Sequence, residues 1–199
     1  MNALVYVETR PYPDLKQNIL GQIKFLPDWP IYIFCSPSNQ HLFGDIPARY
    51  FHCVVRSLPE YNRLLTSARF WHTIQADKCL IFQHDTGILR PWDATLEQYD
   101  YIGAPWKFQA HGGNGGLSWR NVEVMRQIIA EHPYPGNPYE DVWFCNIMFQ
   151  QHMNLAPREV CEAFAVETIF RLGTFGYHAI ENWHSKEACN LIRNQYLKG

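Results

Sequence analysis

The sequence lacks any apolar run that approaches the roughly 20 residues a membrane-spanning helix needs. It also lacks an excess of charge of either sign. Its 17 Lys and Arg face 19 Asp and Glu, a formal net charge of −2. Without a basic surplus the chain is poorly suited to a broad phosphate-backbone surface, so no nucleic-acid partner is expected. None of the six cysteines (Cys35, Cys53, Cys79, Cys145, Cys161, Cys189) has Cys-x-x-Cys spacing. That excludes a disulfide framework and a zinc site, and the six read as reduced thiols of a cytoplasmic protein. The opening segment Met1 to Val7 has no basic region and no cleavage pattern, and reads as a first strand rather than a leader. Internal repeats, low-complexity runs and linkers are absent.

What remains is the composition of a single globular domain, 47% hydrophobic and 18% charged over 199 residues. Aromatic residues make up 15%, with seven Trp. Tryptophan is seldom buried completely, so some of these rings are expected in grooves or at an interface.

The central stretch is Leu80 to Gly87. The apolar run Cys79 to Phe82 has the character of a strand buried on both faces, and it stops abruptly on Gln83-His84-Asp85-Thr86-Gly87. Polar groups at the carboxyl edge of a buried strand stand where open α/β sheets bind ligands. Asp85 is a hard oxygen donor suited to Mg2+ or Mn2+, and equally an ordinary turn residue before Gly87.

Taken in order, Ala3 to Val7 is predicted as a strand that runs into Glu8-Thr9-Arg10-Pro11-Tyr12-Pro13. This loop is either a rigid connector or a ligand loop with a base or ribose against Tyr12. Asp14 is expected to cap a helix carrying Leu15, Ile19, Ile23 and Leu26 inward. Ile31 to Cys35 and Tyr50 to Val55 read as strands, giving a βαβ pattern and a largely parallel sheet. A single helix is expected over Tyr61 to Ala76, with Asn62 and Arg63 near its start within reach of an anionic ligand. Tyr99 to Gly103 is a further strand-like piece.

The stretch His111 to Ser118 carries four glycines, Gly112, Gly113, Gly115 and Gly116, around Asn114. Glycine lets a backbone approach a ligand closely. No Gly-Lys-Ser/Thr follows, so this is no P-loop, and the spacing is not that of a dinucleotide fingerprint. Asn121 caps a helix to about His132, and Glu140-Asp141 opens another over Val142 to His152. Acidic residues suit a helix N-terminus for dipole reasons alone, and a carboxylate there is also free to face a cleft as a general base. Pro157 to Phe164 is expected as a short helix, Ala165 to Ile169 as a strand, Gly173 to His178 as a turn, and Glu187 to Leu197 as a closing amphipathic helix.

Phe82-Gln83-His84-Asp85-Thr86, Asp100-Tyr101-Ile102-Gly103-Ala104-Pro105-Trp106, Gly112-Gly113-Asn114-Gly115-Gly116-Leu117-Ser118, Glu140-Asp141-Val142-Trp143-Phe144 and Phe175-Gly176-Tyr177-His178 stand in order. This ordered set resembles nucleotide-sugar glycosyltransferases of the GT-A type. It resembles in particular a glycosyltransferase-like family with Phe-Gln-x-Asp, Tyr-Ile-Gly-Ala-Pro-Trp, Gly-Asn-Gly-Gly-Leu-Ser and Glu-Asp-Val motifs. More distantly it is similar to the fringe and β-1,3-galactosyltransferase group. The resemblance implies an α/β fold over residues 1–199, a single Rossmann-like GT-A domain with a mixed, mostly parallel central sheet flanked by helices.

The resemblance also implies roles. Asp85 is the surviving acid of an Asp-x-Asp metal motif and His178 completes the Mn2+ or Mg2+ site. Glu8, Thr9, Arg10, Gln83 and His84 lie with Asp85 on the donor-nucleotide side, and Asn62 joins them by its place near a helix start rather than by the resemblance. Trp106, Gly113, Asn114, Gly115 and Gly116 lie near the donor sugar or acceptor, with Trp106 stacking on a sugar face. Asp141 is the general base of an inverting transfer, and Glu140 orients the acceptor or stands in as base. The implied partners are a nucleotide-sugar donor, with UDP as the nucleotide, and a glycan or glycoconjugate acceptor; peripheral membrane association and a homodimer are compatible with it. Gln83 departs from the motif, since a neutral carbonyl is a weaker ligand for a hard cation than a carboxylate. Two other readings stand beside this one: a metal-dependent hydrolase built from His84, Asp85, His111, Asp141 and His178, and a non-catalytic nucleotide- or carbohydrate-binding module.

Overall fold

The computed structural model describes residues 1–194. The chain begins β1 (Asn2–Val7), α1 (Leu15–Ile23), β2 (Ile31–Cys35), β3 (Arg49–His52), and continues through α2 (Leu58–Leu65) and α3 (Ala68–Thr73) to β4 (Lys78–Phe82). Next come β5 (Thr86–Ile88), β6 (Tyr101–Gly103), β7 (Ser118–Asn121), α4 (Val122–Glu131) and α5 (Glu140–Gln150). The end is α6 (Arg158–Phe164), β8 (Ala165–Val166), β9 (Gly176–His178) and α7 (Lys186–Asn194).

The fold is α/β. Six strands form one sheet in the order β3-β2-β1-β4-β7-β6, flanked by helices. The first four are mutually parallel, and β7 runs antiparallel to both β4 and β6. The buried runs LVYV, IYIFC and CLIF follow from this: a parallel sheet covered on both faces needs apolar side chains on both. Alternate residues serve opposite cores. Val5, Tyr32 and Ile81 pack with Trp71, Phe144 and Met148 on one face, while Leu4, Ile33 and Leu80 pack with Phe43, Trp119 and Phe164 on the other.

A second sheet, β5-β9-β8, stands beside the first. Its register sets Thr86 opposite His178, so the turn after β4 and the late histidine come together through backbone pairing. Among the described residues no helix is long and apolar enough to cross a membrane.

Several expected elements differ. The helix expected over Tyr61 to Ala76 is two helices that begin earlier. Ser57 caps α2, accepting from the Glu60 N–H, and Ser67 caps α3, accepting from the Phe70 N–H at 3.3 Å. Between them the Thr66 hydroxyl donates back to the Asn62 carbonyl. Local hydroxyl bonding ends one helix and starts the next. Asp14 makes no cap bond to α1, because its carboxylate is turned to His84. The strand expected over Tyr50 to Val55 is the shorter β3, and His178 lies in a strand rather than a turn. The glycine-rich stretch leads into β7, a strand that its mixed composition Ser-Trp-Arg-Asn hides. The closing helix spans Lys186–Asn194, and residues 195–197 of the expectation lie outside the described residues.

Candidate functional site

At the carboxyl ends of β1 and β4 the sheet opens into a cleft of about 760 Å³. That is within the usual range of roughly 300–1,000 Å³ for small-molecule sites, in the position where open α/β sheets bind ligands. It is lined by Glu8, Thr9 and Arg10 after β1, by residues 55–58 after β3, and by Gln83 and Asp85 after β4. The walls are completed by Asn114 to Gly116, Tyr139 to Asp141, Glu167, His178 and the segment ending at Trp183.

The rim after β1 is fastened before any ligand arrives. The Thr9 hydroxyl donates to the Val55 carbonyl at 2.7 Å, and the Asn39 amide donates to the carbonyls of Glu8 and Arg10. Glu8 is buried and accepts from the Arg10 backbone N–H and from its guanidinium at 2.7–2.8 Å. Its carboxylate is therefore neutralised locally, and Arg10 is the exposed member of the pair.

In the floor, His178 Nε2 lies 3.1 Å from Gln83 Oε1 and 3.4 Å from Asp85 Oδ1. Its Nδ1 lies 3.4 Å from Glu167 Oε1, an ion-pair distance without the geometry of a hydrogen bond. Burial works against a charged imidazole here, but the neighbouring carboxylates of Asp85 and Glu167 outweigh it and push His178 up to about 9. Burial likewise opposes ionisation of Asp85, yet His178, and to a lesser extent Arg10, hold its carboxyl below the usual range. The backbone follows suit: the Ala179 N–H donates to the Asp85 carbonyl at 3.0 Å, with Ala179 itself in the left-handed region at φ 46°. A non-glycine residue held there is one of the strained conformations that cluster at functional sites.

Asp85 Oδ1, His178 Nε2 and Gln83 Oε1 converge, and oxygen with imidazole nitrogen suits Mn2+ or Mg2+. Among the described residues no group of three or more His, Cys, Asp or Glu is arranged to hold an ion. The residues thus fit a cation shared with a ligand's own oxygens, not one caged by protein alone. Among the described residues five buried side-chain polar atoms make no hydrogen bond, and three of them belong to cleft residues: Tyr61 Oη, Glu167 Oε2 and His178 Nδ1. Buried polar atoms without a hydrogen bond are uncommon, and a polar ligand in the cleft would give these three a partner.

The second chemical group is Asp141, in the first turn of α5. Its Oδ2 accepts from the Gly115 N–H at 2.9 Å and its Oδ1 from the Val142 N–H at 2.8 Å. Burial, and then the neighbouring Glu140 charge, push its carboxyl up to about 7 against these two donors and Arg120. A carboxylate that titrates near neutrality is suited to take a proton.

Of the residues singled out in the sequence, the cleft gathers Glu8, Thr9, Arg10, Asn62, Gln83, Asp85, Asn114, Gly115, Gly116, Glu140, Asp141 and His178. Four are engaged by other parts of the protein. His84 turns out of the cleft, stacked on Tyr12 at 4.0 Å and bonded to Asp14 at 2.9 Å, which also removes Tyr12 as a base platform. Trp106 is 3% exposed in the core against Phe108. Gly113 lies back-to-back with Gly103, and its carbonyl accepts from the Tyr101 hydroxyl, so it serves packing rather than a ligand. Glu140 has both oxygens bound by Arg120, at 2.7 and 2.9 Å, and is a structural anion rather than a free base. The five-residue hydrolase centre is not assembled either, because His111 stacks on Phe149 in a separate cavity.

Sequence reasoning missed Arg120, Glu167, Tyr61, Tyr139 and Trp183. Glu167 is a charge directly after the apolar run 163–166, a signal that was readable, whereas Arg120 in the mixed run Ser-Trp-Arg-Asn gave none. The two exposed rings, Tyr139 and Trp183, gave none. No curated protein matches the chain. Residues 45–178 match the family described as a protein of unknown function, DUF5672, a span that holds Asp85, the glycine-rich loop, Asp141, Glu167 and His178. That span is well over half of the sequence, and the chain belongs to the DUF5672 family.

Proposed function

We propose that the protein is a glycosyltransferase of the GT-A type. It moves a sugar from a nucleoside-diphosphate donor, a UDP-sugar, to a hydroxyl of a glycan or glycoconjugate, with inversion. The observation that carries this reading is one cleft holding both an Asp85–His178 pair and a proton-accepting carboxylate, Asp141. Transfer needs both halves: one to take up a leaving diphosphate, the other to deprotonate the incoming hydroxyl.

In the step itself the acceptor oxygen forms a bond to the anomeric carbon while its proton passes to the Asp141 carboxylate. The bond from the anomeric carbon to the diphosphate oxygen breaks, and its electron pair leaves with the nucleoside diphosphate. A Mn2+ or Mg2+ ion held by Asp85, His178 and Gln83 supplies charge neutralisation on that leaving group when bound. Without a cation, His178 held protonated between Asp85 and Glu167 is itself a positive group facing the diphosphate. Arg10, on the fastened rim, is the second. The exposed side chain of Arg56 adds a third cation to the wall. We also propose a cytoplasmic setting, supported by the six free thiols.

The test is a thermal-shift screen of UDP, GDP, ADP and their sugars, each with Mn2+, with Mg2+ and with EDTA. Ligand binding to the native state alone raises stability by about 2.7 kcal/mol at a hundredfold excess over Kd. A shift with one nucleoside diphosphate series is the expected result. No shift with any nucleotide, under any of the three conditions, overturns the reading.

A further inference from the structure

Six of the seven tryptophans touch another aromatic ring. Trp29, Trp92 and Trp119 pack together, Trp71 and Trp143 meet Phe144, and Trp106 stacks on Phe108. Trp183 is the exception: among the described residues its indole has no ring, cation or hydrogen-bond partner, and it is 50% exposed on the cleft wall. Tyr139 is its counterpart on another wall, 59% exposed and likewise without a side-chain partner. An apolar ring left open inside a polar cleft costs hydration free energy, which a ligand with an apolar face would recover.

We propose that Trp183, with Tyr139, forms the acceptor subsite, a stacking platform for the C–H face of a pyranose ring whose free hydroxyl is directed at Asp141. The proposal rests on the glycosyltransferase reading above and adds the chemical class of the acceptor: a sugar ring, not a lipid alcohol or a protein side chain.

Position favours this ligand over a nucleobase. Tyr139 stands two residues before Asp141, at the N-cap of α5, and both residues line the same cleft. Trp183 follows the strand that carries His178 through a tight turn, in which the Asn182 N–H donates to the Ala179 carbonyl and the Trp183 N–H to the Ile180 carbonyl. On its far side His184 Nε2 is bonded to the Glu167 carbonyl at 2.6 Å. The backbone that carries the ring is thus held from both chain directions, so little of the main chain has to be ordered when a ligand arrives. Asn182 also lines the cleft and brings an amide, the type of group that pairs with sugar hydroxyls, to the same wall as Trp183. The rim after β1, where Glu8 to Arg10 meet Val55, is built instead of backbone bonds and charge and carries no open ring.

The experiment uses the full chain as wild type, Trp183→Ala and Trp183→Phe. UDP binding is measured by calorimetry with Mn2+. Saturation-transfer NMR then follows p-nitrophenyl glucoside, galactoside and N-acetylglucosaminide in the presence and absence of UDP. The expected result is UDP affinity unchanged in both variants, with sugar binding weakened about tenfold by Trp183→Ala, the size of one stacking contact, and largely kept by Trp183→Phe. If Trp183→Ala weakens UDP itself tenfold while remaining folded, the ring serves the nucleobase and the proposal fails. If wild type binds UDP but no sugar shows transfer to its ring protons, the sugar-acceptor subsite is overturned while the transferase reading survives. If wild type binds neither, both fall.

Discussion

Arg120 and Glu140 are joined by two hydrogen bonds, Nη1 to Oε2 at 2.7 Å and Nη2 to Oε1 at 2.9 Å, with the arginine wholly excluded from solvent. The guanidinium lies against the rings of Tyr101, Phe144 and Trp71 at 4.9–5.9 Å and takes a further bond from Nε to the Ser118 hydroxyl. A side chain at Gly115 would overlap both partners of the pair. The ion pair therefore fixes how deep the glycine-rich loop lies, and the loop in turn gives its Gly115 N–H to Asp141. A buried charge pair under the loop sets the geometry of the carboxylate above it.

Removing one member leaves the other charged and dry. Arg120→Met is expected to cost about 3–5 kcal/mol, measured by urea denaturation, because Glu140 loses its counter-ion in the core. The double variant Arg120→Met with Glu140→Gln should recover a substantial part of that loss. A single variant within about 1 kcal/mol of wild type would show that water reaches Glu140 and that the pair is not the floor of the site.

Asp141 is expected to set the acid limb of the rate profile. Its raised pKa means that the base is protonated, and transfer is lost, below about pH 7 rather than below the ordinary carboxylate range. Asp141→Asn should lower kcat by about 10²–10⁴-fold and leave UDP affinity near wild type. The same shift has a stability sign. The folded chain holds this proton more tightly than the unfolded one, so the contribution favours folding at low pH and is lost as pH rises through about 7. A limb near pH 4 would move the base to another residue.

How far the sequence revealed this molecule depends on what each signal reports. The runs LVYV, IYIFC and CLIF announced buried parallel strands because burial on both faces leaves no polar position. Asn121 announced its helix, since its side chain accepts from the Glu123 and Val124 N–H groups. Short motifs brought Asp85, Asp141 and His178 into view, and the fold gathers all three in one cleft. Contacts between distant segments stayed hidden. Nothing local tells that Trp106 is buried while Trp183 is open, or that Glu140 meets Arg120 twenty residues away. The single helix expected over Tyr61 to Ala76 failed on the strength of two hydroxyls, Thr66 and Ser67, that a periodicity count ignores.

Gly116 is the point where loop and histidine touch. A Cβ there would meet three atoms of the His178 ring, Nε2, Cδ2 and Cε1, in a clash that something must relieve. Gly116→Ala should therefore displace the imidazole from Gln83 and Asp85, lowering Mn2+ and UDP affinity at least tenfold. The expected cost in stability is only about 1–3 kcal/mol, typical of overpacking. Calorimetry against a thermal melt separates the two effects. Unchanged affinity would mean that His178 takes no part in ligand binding.

Glu167 supplies the last prediction, and it was absent from the sequence-based assignment. Its carboxylate faces His178 Nδ1 while Asp85 and Gln83 face Nε2, so the imidazole is addressed from both nitrogens. A histidine that ligates a cation through one nitrogen is ordinarily oriented by an acceptor on the other, and removing that acceptor weakens the cation by about 10–100-fold. Glu167→Gln keeps the shape and an oxygen but discards the charge, and Mn2+ affinity read by electron paramagnetic resonance should fall within that range. UDP binding in EDTA reports separately on His178 as a charged group. If the imidazole needs Glu167 to stay protonated, that binding should weaken as well, because the positive charge offered to the diphosphate is lost. Should both affinities stay at their wild-type values while the melting temperature falls, Glu167 would be a packing residue of the small sheet, and His178 would be oriented by the β5–β9 pairing alone.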